Sequence, residues 1–434
     1  MRNIAILGAG MAGLGAAHHL FSEKISSVVY EKHSYHGGHA TSFKFENSYI
    51  FDDGPHVSFT QNERLQKLFV ESVNDKYEVI HTQVNNYWKG QWIKHPAQCN
   101  LYGLPKELVV KILKDFIDAQ YKDHGLINNY ADWLIAAFGK TFAETYPMEY
   151  GLKYHTTTAD NMNTSWLGPR LYRPNLEEVL NGALSSETPD VHYVDYFRYP
   201  SHNGFASYLD IFLKQADLKL NHELIKLDPK KRMLYFGNGT TRSYDAVISS
   251  IPLPEIVPII DGAPDDVLAA AEKLACTTCV VVNVVIDRED ISNAHWSYFY
   301  DRDIFFTRLS FPHMLSPNNV PKGTGSIQAE AYYSKKYRPL DRSPEDCIHP
   351  IIRDLKKCNL IREDDQILFT NTWVIPYANV IFDLDEAEAR ETVQGYLSDI
   401  GIHYCGRYGE WKYIWTDQSF LSGEMAAQSV LDER

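Results

Sequence analysis

Long hydrophobic runs are missing from this 434-residue chain, and no segment approaches the roughly eighteen apolar residues that a membrane-spanning helix needs. The chain starts with a short apolar run and a glycine-rich turn, whereas a secretory signal peptide would need a basic start and a longer apolar core. We therefore expect no transmembrane segment and a cytoplasmic protein.

Cysteine is also scarce, with six residues, and one pair has Cys-x-x-Cys spacing, Cys276 and Cys279. A zinc site would need a second such pair, which the sequence lacks. The pair leads into the apolar run at residues 280–286, so we interpret both cysteines as buried strand residues and not as a redox dithiol. We predict no metal site and no structural disulfide.

Basic residues are fewer than acidic ones: the chain has 42 lysines and arginines and 56 aspartates and glutamates, which gives a net charge of −14. This balance argues against nucleic acid or an anionic membrane surface as a partner. An anionic small molecule would need a local basic pocket. The length is sufficient for two or three packed units.

What the chain does contain, at its very start, is a dinucleotide-binding pattern. An apolar strand at residues 3–7 enters a turn with Gly8, Gly10 and Gly13, and a second strand ends at Glu31, twenty-one positions after Gly10. Gly8 permits the turn, Gly10 lets the backbone approach a pyrophosphate at the helix N-terminus, and Gly13 brings helix and strand together. Glu31 would accept hydrogen bonds from ribose hydroxyls and repel a 2′-phosphate, which disfavours NADP.

Helical and strand patterns alternate along the rest of the chain. Apolar spacing predicts helices at residues 61–75, 108–117, 130–138, 142–146 and 206–215. Strands are predicted at residues 224–227, 232–236 and 246–250, a hairpin at 86–94, and a separate sheet from 277–287, 296–309 and 325–333. A last helix is expected from about residue 420 to residue 431, after a Gly406-Arg407 pair and with Thr416 or Asp417 as its N-cap.

A second glycine pair, Gly37-Gly38, lies within residues 32–40. Together with the first motif, this segment resembles the second flavin fingerprint of the glutathione-reductase-like superfamily, which includes amine oxidases, protoporphyrinogen oxidases and UDP-galactopyranose mutases. The resemblance implies FAD as the cofactor. It also implies an α/β fold in which a Rossmann-like FAD-binding domain carries an inserted helical domain and an inserted antiparallel β-sheet domain.

The resemblance suggests three domains along the chain. The FAD-binding domain would combine residues 1–80, 195–265 and 398–434, the helical insertion would span 105–194, and the substrate-binding sheet would combine 81–104 with 266–397. The expected cofactor contacts lie in both glycine motifs, a glycine-histidine loop, the return strand and the C-terminal segment. They are Gly8, Gly10, Met11, Ala12, Gly13, Glu31, Lys32, Gly38, His39, Ala40, Gly54, Pro55, His56, Leu224, Gly406, Arg407, Asp417, Gln418 and Ser419.

Within this superfamily the sequence is most similar to the UDP-galactopyranose mutases. The Gly54-Pro55-His56 segment resembles their loop beside the flavin, and Phe306-Thr307-Arg308 resembles the segment with their essential arginine. The resemblance implies catalytic roles for Arg308 and His56. It implies substrate-binding roles for four further residues, namely Arg170, Tyr377, Trp415 and His155, the last at a position where these mutases have a tryptophan.

The implied reaction is a pyranose-furanose isomerisation of a nucleotide sugar through N5 of the reduced flavin, in surface polysaccharide biosynthesis. Two alternatives remain open. One is an FAD-dependent oxidoreductase of the amine oxidase or protoporphyrinogen oxidase type, and the other is a flavin-fold protein that serves only as a binding partner. The expected partner is a small-molecule substrate, and the oligomeric state is open between a monomer and a homodimer.

Overall fold

The computed structural model describes residues 3–168, 171–191 and 193–433. Within these ranges the chain forms nineteen strands and fifteen α-helices. The strands are β1 (Ile4–Leu7), β2 (Ser27–Tyr30), β3 (Ser42–Lys44), β4 (Ile50–Asp52), β5 (Tyr77–His81), β6 (Val84–Trp88), β7 (Gln91–Lys94), β8 (Tyr196–Pro200), β9 (Asp217–Lys219), β10 (Leu224–Asp228), β11 (Met233–Phe236), β12 (Thr241–Ser243), β13 (Ala246–Ser249), β14 (Ala275–Ile286), β15 (Trp296–Phe299), β16 (Arg308–Ser310), β17 (Gly325–Ser334), β18 (Ile367–Ile381) and β19 (Ile402–Tyr404). The helices are α1 (Met11–Ser22), α2 (Glu63–Ser72), α3 (Lys106–Tyr121), α4 (Tyr130–Phe138), α5 (Lys140–Thr145), α6 (Pro147–Tyr154), α7 (Leu176–Leu184), α8 (Asp210–Leu213), α9 (Leu253–Ile256), α10 (Asp265–Lys273), α11 (Pro312–Leu315), α12 (Ile348–Lys357), α13 (Glu386–Asp399), α14 (Gly406–Gly409) and α15 (Thr416–Asp432).

A five-stranded parallel sheet, ordered β19-β13-β1-β2-β9, forms the first layer of the fold. All four residues of β1 are buried, as expected for a central parallel strand that is covered on both faces. Helix α15 packs against α1 through small apolar side chains, including Ala16 and Ala427. The predicted βαβ unit and the return of the C-terminus to it are therefore confirmed.

A seven-stranded sheet, ordered β18-β14-β17-β16-β15-β6-β7, forms the second layer and is antiparallel except between β15 and β6. The predicted hairpin at 86–94 and the strands at 277–287 and 325–333 are confirmed. Cys276 and Cys279 lie in β14, where Cys279 is buried and Cys276 is half-buried. The stretch 296–309 was expected to be one strand, but it forms β15 and β16 with a turn between them.

Strand β18 is fifteen residues long and was not predicted, because Pro376 and two asparagines interrupt its apolar pattern. The register against β14 jumps between Cys279, opposite Ile375, and Thr277, opposite Asn379. Pro376 therefore falls in a bulge, where a residue without an N–H group does not break the ladder. The same bulge displaces Tyr377 from the regular strand position.

Helices α3 to α7 form the helical insertion, whose core is built mainly from aromatic and leucine side chains such as Phe116, Leu134 and Phe138. The predicted helices at 108–117, 130–138 and 142–146 are confirmed. Residues 206–215 instead form a 3₁₀ turn followed by the single turn of α8. Helices α10 and α13 pack on the five-stranded sheet, and the exact domain boundaries stay a prediction.

Two features relate to the composition of the chain. All six cysteines are free thiols. Among the helices of the described ranges, none combines the length and the hydropathy needed to cross a bilayer.

Candidate functional site

A cavity of about 900 Å³ extends between the two sheets. This volume is at the upper end of the range for small-molecule sites. Seventeen of the nineteen expected cofactor residues line it, and the two that do not are Gly13 and Gln418. A Cβ atom on Gly13 would lie 1.9 Å from the Gly8 carbonyl oxygen, so Gly13 acts through close packing, as its position in the motif implies.

The N-terminus of α1 opens into this cavity. Gly8 has a φ of 99°, which turns the chain sharply after β1 and favours glycine. Helix α1 has no acidic residue in its first turn and no side chain that caps it, and Met11 and Ala12 line the cavity. The free N–H groups and the dipole of such a helix end suit an anion, so the turn fits the pyrophosphate of a dinucleotide.

Glu31 lies at the same end of the cavity and is held by two backbone groups. Its Oε2 accepts a hydrogen bond from the Ala9 N–H at 2.8 Å, and its Oε1 accepts one from the His33 N–H at 2.9 Å. A carboxylate has about four acceptor positions, so capacity remains for ribose hydroxyls. Lys32 pairs with Glu255 at 3.3 Å on the rim.

The second glycine motif connects the cofactor end to the seven-stranded sheet. His39 Nδ1 lies 2.9 Å from Asp53 Oδ2, and Trp373 on β18 donates its indole N–H to Asp53 Oδ1 at 2.8 Å. His39 and Asp53 both line the cavity. This chain of contacts fixes the loop at residues 53–56 between the two sheets.

His56 is a half-buried imidazole that is uncharged at neutral pH. Burial lowers its pKa to about 4, and its Nδ1–H group donates to the Gly54 carbonyl oxygen at 3.0 Å. The proton on Nδ1 leaves Nε2 as the basic nitrogen. His56 can therefore accept a hydrogen bond in the cavity, but it is not a cation there.

Arg407 is half-buried beside the start of α15. Its Nε is a buried polar atom without a hydrogen bond among the described residues, and its guanidinium lies 4.4 Å from the centroid of the Tyr413 ring. Such a donor in the cavity wall fits a polar cofactor edge. We expected Thr416 or Asp417 to cap α15, but the helix already begins at Thr416, and the Gln418 side chain accepts a hydrogen bond from the Trp415 N–H at 3.0 Å.

The opposite end of the cavity is one face of the seven-stranded sheet. Alternate strand residues point to the same face, and on β14 to β17 the ones that line the cavity follow this rule. They are Cys279, Trp296, Tyr298, Arg308, Ser310, Glu330 and Tyr332, whereas on β18 the lining is continuous over residues 373–379, around the bulge. Tyr298, Arg308 and Glu330 lie directly opposite one another on three neighbouring strands.

Arg308 is already paired inside the cavity. Its Nε donates to Glu330 Oε2 in a short contact, and its Nη2 donates to Glu330 Oε1 at 2.8 Å. The Tyr332 hydroxyl lies 3.5 Å from Nη2. The guanidinium edge formed by Nε and Nη2 is therefore occupied by a carboxylate, and Nη1 is the nitrogen that none of these three contacts uses.

Tyrosines surround this ion pair. Tyr154, at the end of α6, donates its hydroxyl to Asn379 Oδ1 at 2.9 Å and contacts the Tyr413 hydroxyl at 3.1 Å. Burial raises the pKa of Tyr154 and of Tyr332 well above the ordinary value, so both hydroxyls stay protonated. The wall is thus polar at the hydroxyl tips and apolar along the rings.

The four substrate positions predicted from the resemblance have different outcomes. Tyr377 and Trp415 line the cavity. His155 does not line it, which corrects its assignment: α6 ends at Tyr154, which takes the cavity position, while His155 packs against Trp166 with its Nδ1 unpartnered among the described residues. Burial lowers the pKa of His155 to about 3. Arg170 lies outside the described residues.

Charge in the cavity is unexpectedly acidic. Of the described lining residues, three are lysine or arginine and six are aspartate or glutamate. The basic residues are Lys32, Arg308 and Arg407, and the acidic ones are Glu31, Asp53, Glu223, Glu255, Glu330 and Asp417. The local basic pocket that an anionic substrate requires is therefore limited to a few side chains.

Sequence reasoning missed Glu330 and its tyrosine neighbours. A signal was present in β17, where Gln328, Glu330 and Tyr332 alternate with Ile327, Ala329 and Ala331. Polar residues at every second position of a strand indicate one face that lines a site. The pairing of Glu330 with Arg308 depends on the register of β16 against β17, and this register cannot be read from the sequence.

Comparisons with known proteins agree with this geometry. Residues 11–431 match the family described as flavin containing amine oxidoreductase. A crystal structure of reduced UDP-galactopyranose mutase is 24% identical, covers 100% of this chain and 96% of its own, and has a TM-score of 0.94. A CLA-producing fatty acid isomerase from P. acnes is 14% identical, with coverages of 99% and 98% and a TM-score of 0.67. A redesigned putrescine oxidase is 12% identical, with coverages of 99% and 99% and a TM-score of 0.67. At these identities the solved structures establish the fold.

Proposed function

Because the chain belongs to the flavin containing amine oxidoreductase family and its cofactor is FAD, we propose that it is a mutase that interconverts the pyranose and furanose forms of a nucleotide sugar. The observation that carries the proposal is the similarity to reduced UDP-galactopyranose mutase over the whole chain. The position of Arg308, Tyr377 and Trp415 around one cavity supports it. The reaction would serve surface polysaccharide biosynthesis.

When bound, the reduced flavin would supply a nucleophile for the sugar's anomeric carbon. The residues of this chain would bind and orient the substrate. Arg308 Nη1 and the Tyr377 hydroxyl would donate hydrogen bonds to the departing diphosphate, where negative charge increases. Burial raises the pKa of Tyr377, which keeps its hydroxyl a donor. His56, neutral at pH 7, would accept a hydrogen bond from the cofactor or the sugar through Nε2.

Turnover by the pre-reduced holoenzyme tests the proposal. The protein is reduced with dithionite under anaerobic conditions and incubated with a panel of nucleotide sugars in the furanose and pyranose forms. We expect isomer formation that requires prior reduction and leaves the flavin reduced. Isomerisation that is absent for every nucleotide sugar in the panel would reject the mutase assignment.

An oxidoreductase is the second candidate, and the charge of the cavity favours it. Glu330 neutralises Arg308, and carboxylates outnumber basic residues in the lining, which suits a neutral or cationic substrate better than a dianion. This candidate expects an amine or another reduced substrate to bleach the oxidised flavin and to consume oxygen or another acceptor. Stoichiometric substrate oxidation would support it over the mutase.

A further inference from the structure

Glu330 and Arg308 are brought together by the sheet itself. They are direct partners in the antiparallel ladder between β16 and β17, and the Thr307 N–H donates to the Glu330 carbonyl oxygen at 2.8 Å. Cross-strand neighbours have Cβ atoms about 5 Å apart, so the two side chains meet without a flexible connection. The Glu330 side chain is 5% exposed and that of Arg308 is 23% exposed, so the carboxylate lies behind the guanidinium.

This geometry divides the guanidinium into two edges. The edge formed by Nε and Nη2 faces Glu330. The second N–H of Nη2 donates to the Tyr332 hydroxyl at 3.5 Å, so Nη1 is the nitrogen through which a ligand in the cavity meets Arg308 end-on. The carboxylate also cancels most of the charge that a ligand at this position would experience.

Glu330 has a second neighbour on the cofactor side. A Cβ atom built on Gly54 would lie 3.7 Å from Glu330 Oε1, so the carboxylate borders the loop at residues 53–56. The mechanism proposed above assigns no role to this buried negative charge. Burying a carboxylate costs desolvation free energy, which here is offset by its ion pair with Arg308.

We propose that Glu330 is a specificity-determining positioning residue, which orients Arg308 so that Nη1 alone meets the ligand and which weakens non-selective binding of anions. The inference rests on the proposed function in one respect, because it takes the preferred ligand to be a nucleoside diphosphate. Selectivity then comes from the position of one donor and not from net charge.

The test uses the oxidised, FAD-loaded protein and follows the flavin absorbance during titration with inorganic pyrophosphate and with UDP. In Glu330→Gln the positive charge of Arg308 is no longer neutralised by a carboxylate, so we expect pyrophosphate to bind about tenfold tighter at low salt. The preference for UDP over pyrophosphate should decrease, and the affinity should depend more steeply on salt.

A matched control is available away from the cavity. Asp365 forms the same kind of two-bond pair with Arg288, at 2.8 Å for both contacts, and neither residue lines the cavity. Asp365→Asn should leave both affinities unchanged. In the double variant Arg308→Ala with Glu330→Gln, the gain in pyrophosphate affinity should disappear, because the effect acts through Arg308.

Equal or weaker pyrophosphate binding by Glu330→Gln with full FAD content would overturn the inference. If Glu330→Gln does not fold, Glu330→Asp serves instead: it keeps the charge but moves the carboxylate, so UDP should lose affinity while pyrophosphate does not. Unchanged UDP binding would then reject the positioning role. None of these readings needs turnover, so a protein that fails to isomerise nucleotide sugars can still show the pyrophosphate effect.

Discussion

Replacing Asp52 with asparagine should change how the stability of this protein depends on pH. Asp52 is fully buried next to the loop at residues 53–56 and accepts hydrogen bonds from Ser42 Oγ at 2.6 Å, the Phe205 N–H at 3.0 Å and the Tyr199 hydroxyl at 2.7 Å. Burial raises its pKa from 3.8 to about 6, against the opposing effect of these hydrogen bonds.

The raised pKa of Asp52 determines whether stability rises or falls with pH. The folded state favours the neutral carboxyl, so its contribution to stability is complete below the unfolded pKa and is lost as the pH rises through about 6. This difference between the folded and unfolded pKa of Asp52 corresponds to about 3 kcal/mol of stability, of which about 2.5 kcal/mol is lost between pH 4 and pH 8. The asparagine side chain of Asp52→Asn would keep an oxygen for Ser42 and Phe205 and would present an amide to Tyr199, without a charge to bury.

Thermal unfolding of both proteins with excess FAD, measured from pH 4 to pH 8, checks this. For a chain of this length about 1 kcal/mol corresponds to about 1 °C, so the Asp52→Asn variant should gain about 2 to 3 °C in Tm relative to wild type across the range. Asp364→Asn, at an exposed carboxylate, makes the same charge change and should show no such trend. A constant Tm difference between Asp52→Asn and wild type at all pH values would refute the reasoning.

Three further substitutions test the site. Arg308→Ala should lower turnover by at least about a hundredfold and leave FAD bound, because the guanidinium contacts the substrate and not the cofactor in the proposed mechanism. Activity assays and the flavin spectrum check this. Near-full activity would reject the catalytic role of Arg308. Gly13→Ala should abolish FAD binding, since a Cβ would lie 1.9 Å from the Gly8 carbonyl oxygen, and a purified variant with full flavin content would contradict it. Lys153→Met should lower Tm by about 2 to 3 °C and weaken UDP binding. The reason is that the Lys153 ammonium donates hydrogen bonds to the carbonyls of residues 299, 301 and 306, in the turn before Arg308. Unchanged UDP affinity would show that Lys153 supports only the stability of the protein and not the position of Arg308.

The confirmed sequence predictions rest on patterns within short, continuous segments of the chain. The first glycine motif, its helix and Glu31 belong to one continuous segment, so their spacing specifies a dinucleotide-binding βαβ unit, and FAD followed from the resemblance that Gly37-Gly38 adds. Strand β18 was missed because its bulge at Pro376 interrupts the periodicity that identifies a strand. Glu330 was missed because its contact with Arg308 depends on the register of two strands, and His155 was misassigned because the end of α6 determines which side chain faces the cavity.

The division of the Arg308 charge between Glu330 and a ligand links the fold to its chemistry. Expelling a diphosphate requires donors that strengthen as negative charge develops, whereas removing a hydride from a neutral or cationic substrate does not. The fold does not choose between them, since structures similar to this one include a fatty acid isomerase and a putrescine oxidase. A diphosphate at Nη1 would have to compete with a carboxylate that strand register holds in place. The mutase proposal therefore requires Tyr377 and Trp415 to supply contacts that one largely neutralised guanidinium cannot, and it predicts weak binding of free pyrophosphate by the wild-type protein.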